Sequence, residues 1–447
     1  MNLIQITPGA GPMYCGGCFR DNALVAALRQ QGHQALMVPL YLPLTLDEPD
    51  ESAGVPIFYG GINVYLDQKL SLFRRLPRWL HHLLAMRPIL RWAAGRAAKT
   101  RAEDAGDLML SMLRGEEGRQ AGELEDLIRW LKTQPKPDAI CLSNALLAGL
   151  ARRLKAELRA PILCLLGGED AFLDSLPVGI REASWKTLSD RCSDVDLFLP
   201  PSRYFAELMT RRLQLRPTQV KVVPNGISLS GYPGPSKLSN PDPTTSNQQP
   251  ATSNQSPPTL GYFARMCREK GLDRLVDAYL LLKKRDGLKD LRLHVGGGCG
   301  PTDELVVAEQ KRKMTQAGVL EDVRFFPNVT HAEKVEFYQA VSVLSVPAHY
   351  GEAFGLYVVE ALAAGVPVVQ PRHAGFPELI EATGGGILCE PNDVRALADA
   401  LESLLRDPAR RRELGQRGSR VVHEQFSRER MGENFVRAVE GLLVASC

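Results

Sequence analysis

The feature that most constrains the fold is a rhythm of short apolar runs and helical patterns that occurs twice along the chain. Between residues 235 and 258 the rhythm stops, and the sequence turns to Ser, Asn, Thr, Pro and Gln with no periodic apolar residue to pack. Such a composition is typical of a linker or a mobile loop. Because 447 residues also exceed what one hydrophobic core usually supports, the interruption predicts a boundary between two domains.

The apolar runs on both sides of the boundary resemble strands of parallel sheets. The candidates are residues 3–6, 34–39, 139–142, 162–166, 197–199 and 220–223, then 260–263, 291–295, 323–326, 342–346 and 366–370. Since these runs alternate with helical patterns, we predict two doubly wound α/β domains. The predicted organisation is a first domain over residues 1–234, a linker over 235–258, a second domain over 259–425 and a terminal helix over 426–447.

Composition excludes several classes of protein. The net charge of +3 gives no reason to expect a nucleic-acid partner. No apolar run approaches the roughly 20 residues of a spanning helix, and residues 1–6 have the pattern of a strand, so we expect a cytoplasmic protein. Cys15 and Cys18 form a CxxC pair, but no second pair at zinc spacing accompanies them. Metal or redox chemistry there is the less favoured interpretation, and no metal site is predicted.

A basic stretch lies within a predicted helical insertion at about residues 67–125. Residues 68–102 hold nine Lys or Arg and no Asp or Glu, together with two Trp and many Leu. One interpretation is an amphipathic element on the anionic cytoplasmic face of a membrane. The alternatives are a helix whose basic face is solvated and one that lines a cleft for an anionic ligand.

In each predicted domain, the loop after the first strand carries candidate ligand-binding residues. The loop of the first domain contains Gly16 and Gly17 before a helix, where backbone N–H groups could meet a phosphate; a plain strand-to-helix turn is the alternative. The loop of the second domain carries Arg265, Arg268 and Lys270. Cations at the carboxyl end of a strand are placed to neutralise a leaving diphosphate, although a solvated basic turn would have the same composition.

The strongest local feature contains two glutamates, Glu352 and Glu360, eight residues apart. Glu352 is predicted in a loop and Glu360 about one turn inside the following helix. The neighbours of Glu360 are almost all apolar, and an unpaired carboxylate would be costly there. Glu360 is therefore expected to have a partner, and the diol of a ribose would satisfy it.

This segment resembles the Glu-x7-Glu signature of family 4 glycosyltransferases, with Glu352 and Glu360 on the two glutamates. Arg265 and Lys270 match the diphosphate-binding Arg and Lys of that family. Further similar segments are residues 16–17, 27–28, 32–33, 223–226, 365–369 and 375–378. The matching segments occur in order and cover both predicted domains.

The resemblance implies a GT-B fold, in which two Rossmann-like domains face a cleft and the terminal helix crosses back to the first domain. It implies retaining, metal-independent transfer from a nucleotide-diphosphate sugar, which is a substrate and not a cofactor, to an acceptor that the sequence does not identify. Glu352 would contact the sugar, Glu360 the ribose, and Arg265 and Lys270 the diphosphate. The other donor-binding residues that it implies are Gly16, Gly17, Asn328, Val329, Ala353, Phe354, Gly355 and Leu356.

One segment departs from the family pattern. The family commonly has a His after a late strand of the first domain, whereas Glu169 and Asp170 stand near that position here. Either this acidic pair orients the sugar or acceptor, or the two segments do not correspond. The departure leaves a non-catalytic nucleotide-sugar-binding subunit as one alternative, and a nucleotide-sugar epimerase of the same fold as another.

Overall fold

The computed structural model describes residues 1–9, 15–59, 102–239 and 257–445, which divide into two compact units. One unit is Met1–Asn225 together with Arg428–Cys447, and the other is Gly226–Ser427. The basic stretch 68–102, nearly all of it, lies outside the described residues, and so does most of the predicted linker. Membrane contact and cytoplasmic location stay predictions. In the described part of the chain, every helix is too short or too polar to cross a bilayer.

The first unit is built on a five-stranded parallel sheet. Its strands are β1 (Asn2–Thr7), β2 (Gln34–Pro39), β3 (Ala139–Leu142), β4 (Ile162–Leu165) and β5 (Leu197–Leu199). Its helices are α1 (Gly16–Gln30), α2 (Ala102–Leu113), α3 (Ala121–Leu131), α4 (Ala151–Leu158), α5 (Glu169–Asp174), α6 (Val178–Arg191) and α7 (Arg203–Leu213).

The strand order of this sheet is β2-β1-β3-β4-β5. The chain leaves β1 toward one edge and returns to pair β3 with the other side of β1. In such sheets ligands bind outside the carboxyl ends of the strands, at the point where the direction of winding changes. That point lies between β1 and β3, so the loops that follow these two strands are the candidate ligand loops of the first unit.

The last helix of the chain also belongs to the first unit. This helix, α16 (Arg428–Ala445), packs on α1: the side-chain amide of Gln31 donates to the carbonyl of Glu429 at 2.8 Å. A methyl group added at Gly432 would contact Gln31 and the side chain of Ala27 at about 3 Å. The close approach of the two helices buries Phe435 against the core of the first sheet.

The second unit contains a six-stranded parallel sheet. Its strands are β6 (Thr259–Phe263), β7 (Arg292–Gly297), β8 (Val323–Pro327), β9 (Val343–Leu344), β10 (Val368–Pro371) and β11 (Gly386–Cys389). Its helices are α8 (Pro235–Ser239), α9 (Leu272–Leu282), α10 (Glu304–Gln316), α11 (His331–Gln339), α12 (Leu356–Ala363), α13 (Phe376–Thr383), α14 (Val394–Leu405) and α15 (Pro408–Gln425).

The strand order of the second sheet is β11-β10-β9-β6-β7-β8. Winding changes direction between β6 and β9, which pair in parallel at the middle of the sheet. The candidate ligand loops of this unit are therefore residues 264–271, after β6, and residues 345–355, after β9. Most of the hydrophobic core of the unit lies between this sheet and its helices.

The start of the predicted linker differs from the expectation. Residues 235–239 form the short helix α8, and the side chain of Leu238 lies against Gly365, where an added Cβ would meet it at 2.8 Å. Gln416 donates to the Leu238 carbonyl at 2.9 Å. One apolar side chain with a backbone hydrogen bond is enough to dock this segment, so the absence of apolar periodicity did not mean absence of packing.

Candidate active site

The two ligand loops of the second unit are joined by an ion pair. The ammonium of Lys270, in the loop after β6, donates to Oε2 of Glu352, in the loop after β9, at 2.5 Å. The hydroxyl of Tyr357 donates to the same oxygen at 2.8 Å. Two of the residues singled out in the sequence, 82 positions apart, therefore meet where the winding of the sheet changes direction.

Aromatic rings surround the Lys270 ammonium. Its nitrogen lies 5.1 Å from the ring centroid of Tyr350 and 5.6 Å from that of Tyr357. Burial disfavours the ammonium, but the opposing charge of Glu352 and the contact with Tyr350 outweigh it and raise the pKa of Lys270 above its ordinary value. Lys270 consequently remains a cation throughout the physiological pH range.

Glycine backbone geometry brings these loops close together. Gly271 has φ +76°, and a Cβ there would lie 2.0 Å from the carbonyl oxygen of Pro347. Gly375 donates its N–H to the Glu352 carbonyl at 3.0 Å, and a Cβ at Gly375 would lie 2.9 Å from that oxygen. Both positions therefore require glycine, and both fix the backbone that carries Lys270 or Glu352.

Arg265 is held by an acidic residue that the sequence analysis missed. Its guanidinium contacts both oxygens of Asp303, with Nε at 3.1 and 3.0 Å, and Asp303 also accepts from the N–H of Gly300 at 3.0 Å. About half of the Arg265 side chain remains exposed. The hydrogen bond that Arg265 donates to Asp303 raises the pKa of Arg265, so this residue is a second permanent cation beside the ligand loops.

Asn328, expected to bind the nucleotide, connects two strand ends. Its side chain accepts from the Cys299 N–H and donates to the Cys299 carbonyl, both at 2.9 Å. Its φ of +53° is tolerated because Asn is among the few residues that adopt left-handed backbone geometry. Asn328 thus holds the loop after β7 in place, while the neighbouring Val329 packs against the core.

Glu360 has protein partners, as its burial requires. Lys334 donates to Oε1 and the hydroxyl of Tyr338 donates to Oε2, each at 2.9 Å. Both side chains come from α11, whereas Glu360 lies on α12. The expectation of a partner is met, but burial alone no longer argues for a ribose, because the protein supplies the charge and the hydrogen bond.

The remaining predicted donor residues, 353–356, precede or begin α12. Gly355 has φ +94° and occupies the N-cap position of this helix. Phe354 is 5% exposed and packs on Phe426, with ring centroids 6.0 Å apart, so its side chain belongs to the core and only its backbone can face a ligand. Ala353 and Leu356 flank these two residues.

In the first unit the carboxylate of Glu169 accepts hydrogen bonds from the backbone. Its Oε1 accepts from the N–H of Ala145 at 3.0 Å and its Oε2 from the N–H of Gly167 at 2.8 Å. Glu169 is 3% exposed, and burial raises the pKa of its carboxyl group. This arrangement ties the loop after β3 to the loop after β4 and leaves little of the carboxylate for a sugar.

Asp170 keeps more freedom than its neighbour. In the described part of the chain its Oδ1 has no hydrogen-bond partner although the atom is buried. Burial raises the pKa of Asp170 as well. Of the two acidic residues in the place of the family's His, Asp170 is therefore the one with a carboxylate oxygen that no described residue engages.

A buried arginine supports the same loops and was not singled out in the sequence. Arg20, on α1, pairs with Asp21 at 2.8 Å and donates to the carbonyl oxygens of Ser143 and Leu166, at the ends of β3 and β4. It is 5% exposed. Gly16 and Gly17 begin the same helix, so this network fixes the first turn of α1 to the carboxyl edge of the sheet.

Metal ligands do not gather at either site. In the described ranges, which omit residues 10–14, 60–101, 240–256 and 446–447, no group of three His, Cys, Asp or Glu side chains is positioned to hold an ion.

The chain matches two family models in succession. Residues 93–230 match a model described as Glycosyltransferase Family 4, and residues 244–421 match one described as Glycosyl transferases group 1. Among curated proteins, the D-inositol 3-phosphate glycosyltransferase of Corynebacterium diphtheriae is 34% identical over 157 residues, which are 35% of this chain and 36% of that protein. The protein of the same name from Xylanimonas cellulosilytica is 31% identical over 233 residues, 52% of this chain and 53% of that protein. The chain thus spans about half, or less, of the length of these relatives.

Solved structures resemble the whole chain. Sucrose-phosphate synthase from Thermosynechococcus elongatus aligns with a TM-score of 0.68 and 20% identity, covering 99% of both chains. HepE from Anabaena, solved in complex with UDP, aligns with a TM-score of 0.67 and 16% identity, covering 99% of this chain and all of that one. At these identities the likeness concerns the fold, and it confirms the predicted GT-B fold.

Proposed function

The chain belongs to glycosyltransferase family 4, and on that premise we propose that it moves a sugar from a nucleotide-diphosphate donor to an acceptor with retention of anomeric configuration. One observation carries the proposal: the 2.5 Å pair of Lys270 and Glu352 at the point where the second sheet changes its direction of winding. A fixed cation beside a fixed carboxylate is suited to a leaving diphosphate on one side and sugar hydroxyls on the other.

The cations act on the leaving group. As the bond between sugar and diphosphate breaks, negative charge grows on the diphosphate oxygens, and preorganised cations stabilise that charge. Lys270 stays protonated because Glu352 opposes the effect of its burial. Arg265 is oriented by Asp303 and keeps half of its surface exposed, so it can contact a ligand without breaking its own ion pair.

The two oxygens of Glu352 have different tasks. Both Lys270 and Tyr357 donate to Oε2, which fixes the carboxylate plane and leaves Oε1 as an acceptor for a hydroxyl of the transferred sugar. Such a contact is charge-assisted and stronger than one between neutral groups. We therefore assign Glu352 to the sugar and Tyr357 to holding Glu352.

Glu360 remains our candidate for the ribose. Each carboxylate oxygen accepts more than one hydrogen bond, so ribose hydroxyls could donate to Glu360 beside Lys334 and Tyr338. The proposed role thus needs no rearrangement of the protein partners.

Metal independence is a further part of the proposal. Arg265 and Lys270 supply two positive charges beside the loops that would receive the diphosphate. In other transferases a divalent cation neutralises the leaving group in this way. We propose that these side chains suffice. No cofactor enters the proposal, because the nucleotide sugar is itself the substrate.

The acceptor is the open part of the proposal. The name of the curated relatives makes an inositol phosphate one acceptor to test, beside glycans, lipids and other small molecules. In the first unit Asp170 is the residue that we place nearest to acceptor chemistry, since its Oδ1 is not engaged by described residues. Burial also raises the pKa of this carboxyl group above its ordinary value.

A donor panel tests the proposal directly. UDP-, GDP- and ADP-sugars are each incubated with the full chain, with and without acceptors, while nucleotide release is measured and products are analysed by NMR. We expect one donor to release its nucleotide and to yield a product of unchanged anomeric configuration, and Lys270→Met to slow release by about 10² or more. Binding without release for every donor would instead indicate a binding subunit, and conversion of the donor into its epimer would indicate an epimerase.

A further inference from the structure

Two cysteines meet at the start of α1. Cys15 is the N-cap residue of the helix and Cys18 lies in its first turn. The backbone N–H of Cys18 donates to Sγ of Cys15 at 3.3 Å. The two thiols also share a side-chain hydrogen bond. The two sulfur atoms therefore lie next to each other at the start of the helix.

The two thiols differ in access to solvent. Cys18 is 2% exposed, whereas Cys15 is only partly buried. The backbone N–H of Gly9, two residues after the end of β1, interacts with the Cys18 sulfur. A reagent in solution would therefore meet Cys15 first, and Cys18 is placed behind it to complete a second step.

Cys15 is also distinct from the other cysteines in its acidity. The hydrogen bond with the Cys18 side chain lowers the pKa of Cys15 to about 7, and the N–H of Cys18 acts in the same direction. The pKa is raised in every other cysteine of the described ranges. Thiolates are the reactive form, so Cys15 has the electrostatic setting of an attacking thiol.

From this placement of an accessible thiol beside a buried one, we propose that Cys15 and Cys18 form a redox-active dithiol that exchanges with low-molecular-weight disulfides. The Cys15 thiolate attacks one sulfur of the disulfide, forms a mixed disulfide and expels one thiolate. Cys18 then gives up its proton, attacks Sγ of Cys15 and expels the second thiolate. Two protein thiols are oxidised to one disulfide, and the reagent is reduced to two thiols.

The site has a consequence for transfer, which rests on the proposed function. Gly16 and Gly17 lie between the two cysteines and are the residues of the first unit expected to meet the donor. A disulfide would remove the sulfur acceptor that caps α1 and would hold these glycines in a small ring. Oxidation should therefore slow sugar transfer, and reduction should restore it.

Oxidised glutathione is the probe, applied to the full chain and read out by mass spectrometry of peptides. We expect wild type to lose two hydrogen atoms within the peptide that holds both cysteines. Cys18→Ser should stop at a glutathione adduct on Cys15, and Cys15→Ser should give no adduct on Cys18. Cys299→Ser, at a partly exposed cysteine of the second unit, is the control and should react like wild type.

The result that overturns the proposal is the recovery of both thiols unmodified after wild type has been exposed to glutathione disulfide. An adduct of Cys18 in the Cys15→Ser variant would equally refute the order of attack. The peptide masses show whether the dithiol reacts without any assay of transfer. The proposal of a redox-active dithiol is therefore tested independently of the proposed function. If the bridge forms in an active enzyme and transfer is unchanged, the inference about its consequence is wrong.

Discussion

The hydroxyl of Tyr357 and the ammonium of Lys270 converge on a single oxygen, Oε2 of Glu352, at 2.8 and 2.5 Å. Lys270 comes from the loop after β6, and Tyr357 from the first turn of α12. Two donors on one oxygen fix both the position and the plane of the carboxylate. The orientation of Glu352 is therefore set by the fold before any ligand arrives.

Tyr357→Phe removes one of these donors and keeps the ring. A hydrogen bond to a charged group contributes about 1.5–3 kcal/mol, so we expect kcat/KM for transfer to fall roughly 10-fold or more. The matched control is Tyr279→Phe, which removes a buried hydroxyl that donates to the Leu291 carbonyl. This control should lose stability without losing transfer, and equal transfer by Tyr357→Phe and wild type would show that Lys270 alone orients Glu352.

Lys270→Met and Arg265→Ala test the charges on the leaving group. Each variant should lower kcat by about 10² or more, because a preorganised cation stabilises charge that grows only in the transition state. EDTA should leave the activity of wild type unchanged. Activity lost in EDTA and restored by magnesium or manganese would show that a metal ion supplies the charge.

Glu360→Gln tests a buried ion pair and a proposed ligand contact together. Loss of the negative charge facing the buried Lys334 should destabilise the second unit by on the order of 3 kcal/mol, which thermal unfolding would detect. Tyr338→Phe, which removes a hydroxyl that donates to Glu360 and keeps the ion pair, should cost less, about 1.5 kcal/mol.

Lys334→Met separates the two roles of Glu360. It breaks the same ion pair but keeps the carboxylate, so it should destabilise the unit while a titration with nucleotide shows a smaller loss of affinity than for Glu360→Gln. Equal losses of affinity in both variants would mean that Glu360 acts only on the fold. The ribose contact would then have to be abandoned.

The sequence predicted most of the strands and the candidate loops because these depend on local apolar patterns. Residues 220–223 were predicted as a strand but form only an isolated bridge between Val220 and Phe198, and β11 was not predicted. The structure also contains a capping box of Thr330 and Glu333, which depends on only four consecutive residues. The partners of the charged residues were not predictable in the same way. Lys334 reaches Glu360 from another helix, and nothing near Glu360 in sequence indicates that lysine.

Glu169 shows that sequence reasoning can also assign a functional role to a residue that the structure uses to hold loops. Its acidic side chain near the position of the family's His suggested chemistry, whereas the structure uses both oxygens to accept backbone N–H groups from two different loops. Arg20 and Asp303, which hold neighbouring loops, were not singled out because single charged residues occur on most helices and turns. The role of each of these charged residues depends on partners that are distant along the chain. A single sequence does not show which residues become those partners.

The raised pKa of Glu169 predicts a dependence of stability on pH. Burial raises the pKa above its ordinary value of 4.5, so the folded state keeps the proton where the unfolded state has released it. The contribution of Glu169 to stability is therefore present below pH 4.5 and is lost as pH rises through the folded pKa. The difference in melting temperature between wild type and Glu169→Gln should fall from pH 4.5 toward neutral pH.

A surface glutamate of the same unit provides the control for this experiment. The hydrogen bond from Lys132 lowers the pKa of Glu157, so its contribution is present at neutral pH and is lost as pH falls. Glu157→Gln should therefore show a slope of opposite sign. A rising or flat difference for Glu169→Gln would mean that its two backbone N–H bonds keep the carboxylate charged.

Gly375→Ala tests how far the position of the Glu352 carboxylate depends on backbone packing. An added Cβ would lie 2.8 Å from the Ala353 carbonyl oxygen and 2.9 Å from that of Glu352, closer than real Cβ contacts allow, so the loop must shift. Because Glu352 meets Lys270 and Tyr357 at hydrogen-bond distance, a shift of a few tenths of an ångström weakens both contacts.

Gly234→Ala, where an added Cβ meets nothing within 4 Å, is the matched control in the same unit. We expect transfer to fall roughly 10-fold or more for Gly375→Ala, in proportion to the loss of one charged hydrogen bond, and to be unchanged for Gly234→Ala. Wild-type kcat/KM in Gly375→Ala would show that the loop yields without moving the carboxylate, and that Gly375 does not position Glu352.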